Sequence, residues 1–112
     1  MSRDFNRPRR TTADRLRDAL GRLADEQASF RRHDEKPWAS ITFEGARHTV
    51  EIVFDGAEAV EAGERFIADL PDHEFAIPGQ LVAEATVTAV DHTLLPHPRM
   101  EVRCELLLLV DA

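Results

Sequence analysis

Imidazole is the side chain whose unperturbed pKa puts its charge change between pH 5 and 8. This chain carries five, at positions 33, 48, 73, 92 and 97. A loop at 91–98 and a segment at 33–37 would bring His33, His92 and His97 to one end of a sheet, with Asp34, Glu35, Asp55 and Asp91. Imidazoles among carboxylates form a donor set for a zinc-like ion or for acid–base chemistry. His92 and His97 bracket a loop instead of sharing a helix face, so no metal-ligand spacing is met. No metal and no cofactor is assigned. His33, Asp91, His92 and His97 are one candidate ligand-binding group. The second is His48, beside Glu44 and Arg47, with His73 and Glu74 in the run Asp72-His73-Glu74. Here the simpler role for His73 is charge compensation after a helix C-terminus.

Cys104, the single cysteine, alternates with Val102 and Leu106 on an apolar face. A thiol in such surroundings has a raised pKa and is inert. The chain has no Gly-x-Ser-x-Gly elbow, no P-loop and no Gly-x-Gly-x-x-Gly. Its glycines are isolated, so the sequence offers no phosphate cradle.

The elements that must position these residues follow from periodicity. Thr11 with Asp14 has capping-box spacing, and Ala13, Leu16, Leu20, Leu23 and Phe30 form one helical stripe. The spacing predicts a helix from Thr11–Thr12 to near Arg32. Alternation predicts a strand from Trp38 to Glu44, with Ala39, Ile41 and Phe43 on one side and Trp38, Ser40 and Thr42 on the other. A turn at Gly45–Ala46 leads to a second strand from Arg47 to Phe54, with Val50, Ile52 and Phe54 inward. A second helix begins after Asp55–Gly56, buries Ala59, Val60, Gly63, Phe66, Ile67 and Leu70, and stops at Pro71. A third strand covers Leu81 to Val90, with Leu81, Ala83, Ala85, Val87 and Ala89 inward. The fourth, Met100 to Val110, is the most apolar.

The resulting class is α+β, in the order α-β-β-α-β-β. It implies a four-stranded antiparallel sheet with two helices on one face. Moving the last strand to the front gives the ferredoxin-like order β-α-β-β-α-β, so the expectation is a circularly permuted ferredoxin-like sandwich with spatial strand order 3-4-2-1. Its open face would show Glu51, Glu84, Thr86, Thr88, Glu101, Arg103 and Glu105 beside Val53, Leu107 and Leu109. An apolar patch there would mark an interface, and the expected partner is a second copy of the chain.

Length and charge bound the function. The 112 residues amount to one domain. The longest apolar run, Leu106 to Val110, is far short of the roughly 20 residues a membrane span needs. With no export signal, the expected location is the cytoplasm. Thirteen arginines against one lysine suggest a bacterial source. The net charge of −7 is uneven. Residues 1–32 carry +4 and the remainder −11. Residues 1–10 therefore read as a flexible basic arm before a single domain at 11–112. Arg3, Arg7, Arg9 and Arg10 would suit phosphate contacts, but the −11 body repels nucleic acid at long range. No aromatic stacking pair marks the open sheet either. The function expected is a homo-oligomeric interaction or small-ligand-binding module, not an enzyme. The alternatives are a small enzyme with a histidine–carboxylate site at a sheet end or subunit interface, and nucleic-acid binding through the arm.

Overall fold

The computed structural model describes residues 10–111, so nine of the arm's ten residues lie outside the described residues. The elements are α1 (Thr12–Leu23), β1 (Ser29–Ala39), β2 (Glu44–Asp55), α2 (Ala57–Asp69), β3 (Gln80–Thr93) and β4 (Arg99–Val110). A 3-10 turn, Leu70–Asp72, extends α2. The strands form one antiparallel sheet in the order β1-β2-β4-β3. The α-β-β-α-β-β succession and the 3-4-2-1 arrangement expected from sequence are thus both present. No helix among the described residues is long and apolar enough to cross a membrane.

One core joins the two helices to one face of the sheet. Leu16 and Leu20 of α1, with Val60 and Phe66 of α2, pack with Val50, Ile52 and Phe54 of β2 and Met100, Val102, Cys104, Leu106 and Leu108 of β4. The two central strands supply most of the apolar surface, as their position requires.

The first third of the chain differs from its sequence reading. Helix α1 stops at Leu23, not near Arg32, because Asp25 and Glu26 adopt left-handed backbone (φ 54° and 58°). The Asp25 N–H donates to the Arg22 carbonyl and the Glu26 N–H to the Gly21 carbonyl (2.8 Å). That is the paired C-terminal closure of a Schellman motif, with aspartate where glycine is usual. Phe30 therefore belongs to β1, not to the helical stripe. β1 runs through Pro37, which an edge strand tolerates. The hairpin turn falls at Ser40–Phe43, where Ser40 Oγ accepts from the Phe43 N–H (3.0 Å) and the Ser40 N–H donates to the Phe43 carbonyl (2.7 Å). Ile41 and Phe43 are exposed on this turn and belong to no strand. Gly45 is no turn residue. It lies in β2 opposite Trp38 and Leu109, and a Cβ there would sit 1.9 Å from the Leu108 carbonyl oxygen.

Two bulges on β3 also reset an expected face. Ala83 and Thr88 have no partner on β4. The helix-side residues are therefore Val82, Ala85, Val87 and Val90, while Leu81 and Ala89 turn to the open face.

The open face holds the residues expected of it, but the apolar ones expected there, Val53, Leu107 and Leu109, are covered. Arg47, Leu107 and Glu84 share one row across β2, β4 and β3, and Arg47 bonds Glu84 (3.1 Å) over the leucine. Arg103 bonds Glu51 (2.9 Å), and Arg31 of β1 reaches Glu101 of β4 across β2. Leu107, Leu109 and Val53 are buried within the single chain. Paired charges with aliphatic stems cover apolar surface in this way. The expected apolar interface patch on this face is absent among the described residues.

Helix α2 crosses Phe54 closely at Gly63. A Cβ at 63 would meet the buried Phe54 ring at 2.8 Å and Met100 Cε at 3.2 Å. Gly63→Ala gains about 1 kcal/mol of helix propensity but overpacks a filled core, at a cost of roughly 1–3 kcal/mol. The expected net result in urea unfolding is lower stability, by about 1 kcal/mol. A stabilised variant would show that the Phe54 ring yields freely.

Candidate functional site

The site begins at the N-terminus of α1. Thr11 caps the helix by accepting from the Asp14 N–H (3.1 Å), and Asp14 Oδ2 accepts from the Thr11 N–H (3.0 Å). The capping box anticipated from the Thr11–Asp14 spacing is therefore formed. These bonds, more than the nearby Arg17 and Arg10 charges, hold the Asp14 carboxyl below its ordinary pKa. Its other oxygen, Oδ1, accepts from Arg17 Nη2 (2.7 Å) one turn later. The arginine is thus tethered to the helix that carries it.

Arg17 Nη1 then reaches His33 Nδ1 (2.9 Å), and His33 Nε2 lies 2.8 Å from His48 Nδ1. The two rings are 5.0 Å apart, edge to face. His33 sits on β1 opposite Val50, and His48 on β2 opposite Glu35 and Leu106. Both residues face the helices. His48 is fully buried.

Proton positions in this relay follow from chemistry. A guanidinium only donates, so His33 Nδ1 is an acceptor and carries no proton. A neutral His33 then carries its proton on Nε2 and donates it to His48 Nδ1. His48 in turn holds its proton on Nε2. That N–H is buried and has no hydrogen-bond partner among the described residues. An unsatisfied buried donor costs about 1–3 kcal/mol. Both imidazoles are held neutral. Burial is the main cause of the lowered pKa of each, with His48 and Arg17 adding to the effect on His33, and Glu35 opposing it at His48. Protonating either ring would set two donors against each other.

His48 forms part of the wall of a cleft of about 420 Å³ at the end of the sheet near the start of α1. Thr12, Pro37, Trp38, Ala46 and Val110 line it, and Glu35 and Glu44 bring negative charge. Neither glutamate forms an ion pair with the described residues, and no arginine or lysine among them lines the cleft. In the relay tautomer, His48 presents a neutral N–H donor. It offers no lone pair for a metal and no base for proton abstraction.

No protein-family model, curated protein or solved structure matches this chain.

The sequence candidates are distributed differently from their expected grouping. His33 leaves the first group and joins His48 of the second. His92 is paired with Met100, and Asp91 with Glu101, at the other end of β3. His97 Nε2 lies 3.5 Å from Asp55 Oδ1 in an exposed pair. His73 packs edge-on against Phe75 (4.6 Å). With Glu74 it borders a separate hollow near Leu23 and Asp69. No group of three or more His, Cys, Asp or Glu among the described residues is arranged to hold a metal ion. Cys104 is buried, as expected, and burial pushes its thiol up to about 12. Arg17 was not singled out from sequence, and Asp14 only as a capping residue, although their three-residue spacing places them on one side of the helix.

The lowered histidine pKa values set the pH dependence. In the unfolded chain both imidazoles titrate near 6.5, and in the folded chain below that. Between the two values the unfolded state binds more protons, so stability rises with pH there. Stability from this pair is complete above about pH 6.5, declines as pH falls below it, and levels off beneath the folded values. Urea unfolding between pH 5 and 8 is expected to show this decline, and His33→Gln is expected to reduce its slope. An equal slope in the variant would remove the relay as its source.

Proposed function

We propose that this protein is a small-ligand-binding module whose cleft recognises a hydrogen-bond acceptor through His48. The observation that carries this reading is the buried Nε2–H with no partner among the described residues, on a residue that lines a cleft. The nitrogen itself is buried, so a ligand carbonyl must part the cleft wall to reach it; there it supplies the missing acceptor and offsets the desolvation cost. The other lining groups select the rest of the ligand. Trp38, Pro37, Ala46 and Val110 favour an apolar or aromatic body. Glu35 and Glu44 disfavour a carboxylate. The preferred class is therefore an uncharged, carbonyl-bearing molecule with an apolar body. We read the connectivity as a circularly permuted ferredoxin-like sandwich. In that arrangement α1 and the C-terminal end of β4, which contribute Thr12 and Val110 to the cleft, lie side by side. The oligomeric part of the module is a second element of the proposal. It is favoured by exposed Leu81 and Val90 on edge strand β3.

Three probes that share a ring separate the contributions. Benzamide carries a neutral carbonyl, benzoate an anionic acceptor, and benzamidine a cation that only donates. Titration into the full chain, followed by ¹⁵N shifts of the histidine rings, should show benzamide moving the His48 Nε2 signal and benzamidine leaving it in place. Benzoate should bind more weakly than benzamide. His48→Leu should weaken benzamide binding about tenfold, the equivalent of one recovered hydrogen bond. A His48 signal indifferent to benzamide at millimolar concentration, or benzoate binding as tightly as benzamide, would overturn the reading.

A further inference from the structure

The two edges of the sheet are built differently. β1 carries Arg31, Arg32, Asp34, Glu35, Lys36 and Pro37 within eleven residues. Charges and proline are the usual means of keeping an edge strand from pairing. β3 has the longer edge, fourteen residues, with two charged side chains, no lysine and no proline. Among the described residues its outer backbone groups have no neighbouring strand, β4 being its one partner there. Val82, Ala85 and Val87 pack partly against the core. Val90 continues that row and is 47% exposed. The core thus runs out to this edge without being closed there.

We propose that β3 is where two copies of this chain join, antiparallel about Thr86, to make one eight-stranded sheet. The side chains select this register. With the bulge residues Ala83 and Thr88 set aside, the strand alternates between helix side and open side without interruption from Gln80 to Thr93. Opposed residues in an antiparallel pair share a face, which restricts the two-fold centre to a residue in this alternation. Centring on Val87 would set Glu84 against Asp91 of the second copy, two like charges, and centring on Ala85 would shorten the overlap and set the exposed Val90 against Gln80. Centring on Thr86 sets Glu84 against Ala89, Ala85 against Val87, and Val82 against Val90. Val82, Ala85, Val87 and Val90 of both copies then form one apolar strip beneath the helices. Thr86 meets its own counterpart on the open side. β-Branched and threonine pairs of this kind each add roughly 0.2–1 kcal/mol. The contact is isologous, so it closes at two copies. Among the described lining residues Gln80 alone lies on β3 and enters the seam, while His48 lies two strands away on β2, so the joining of two copies is tested separately from the ligand reading.

Light scattering after size exclusion should show a dimer at high micromolar concentration. Val90→Lys, an exposed position, should give a monomer with an unchanged far-UV circular dichroism spectrum. Thr86→Cys should form an intermolecular disulfide on mild oxidation. Directly opposed residues lie about 4.5–5.5 Å apart between Cα atoms, within the span of about 4.4–6.8 Å that a disulfide bridges. Ala89→Cys, displaced from the axis, should stay reduced, and the buried Cys104 should stay unreactive in both variants. A monomeric wild type, open-ended aggregation, a dimer that survives Val90→Lys, or a Thr86→Cys chain that does not cross-link would each overturn the proposal.

Discussion

The permanent positive charge of Arg17 determines the chemistry of the buried end of this fold. Histidine has two tautomers, and a pair of hydrogen-bonded histidines in isolation has no reason to choose one direction. A guanidinium at the head of the chain removes the choice, because it cannot accept a hydrogen bond. Every proton beyond it is then assigned, and the last one is left on a nitrogen with no acceptor among the described residues. Asp14 makes this possible. It closes the α1 cap with one oxygen and fixes the arginine with the other, so helix start and relay are one structural unit. Two strands complete it, because β1 and β2 must pair in a register that puts His33 beside His48.

The energetic logic runs from fold to site. Two central strands and two helices bury enough apolar surface to tolerate one unsatisfied donor, whose cost of about 1–3 kcal/mol is a substantial share of the 5–15 kcal/mol by which a domain is ordinarily stable. The same low-polarity surroundings that make the orphan N–H costly also strengthen any bond it makes with a ligand. Glutamates at the cleft narrow the choice of acceptor. A cleft with a single buried donor and negative lining is better suited to a neutral carbonyl than to an anion. On the opposite face of the sheet, Arg47–Glu84 spans Leu107 and Arg103–Glu51 pairs further along, so ion pairs occupy the surface that would otherwise have been the natural place for association. Exposed apolar surface remains instead along β3 and at the hairpin turns, at Ile41 and Phe43 and at Leu94 and Leu95.

Elements with long, uninterrupted periodicity were legible from the sequence. β4, α2 and the inward set Val50, Ile52 and Phe54 all follow from simple alternation or helical spacing, and the strand order follows from connectivity. The failures have local causes. Leu16, Leu20, Leu23 and Phe30 keep helical spacing across a helix end, and nothing in the stripe reports that Asp25 and Glu26 turn left-handed. Ser40 closes a turn through its own side chain, so the alternation of Ala39, Ile41 and Phe43 marks a hairpin tip where it suggested a strand. On β3, each bulge inserts one residue and reverses every face assignment beyond it. A bulge has no fixed residue signature, so a period-two reading passes straight through it.

The site itself was half legible. Extending the β2 alternation two residues back from Val50 places His48 on the core face, and a buried histidine in a row of aliphatic residues is a signal in its own right. His33 was hidden by the misplaced end of α1. Shifting β1 from Trp38–Glu44 to Ser29–Ala39 carries His33 from a sheet end to the middle of a strand, next to β2. The pairing of two histidines fifteen residues apart is thus a consequence of hairpin register. Register in turn is set by where Ser40 closes the turn and by Gly45, whose missing side chain lets Leu108 approach. The relay therefore depends on a serine and a glycine that touch neither histidine. Shifting that hairpin by one residue would put His48 on the opposite face, among the ion pairs, where an imidazole would be solvated and its N–H no longer alone.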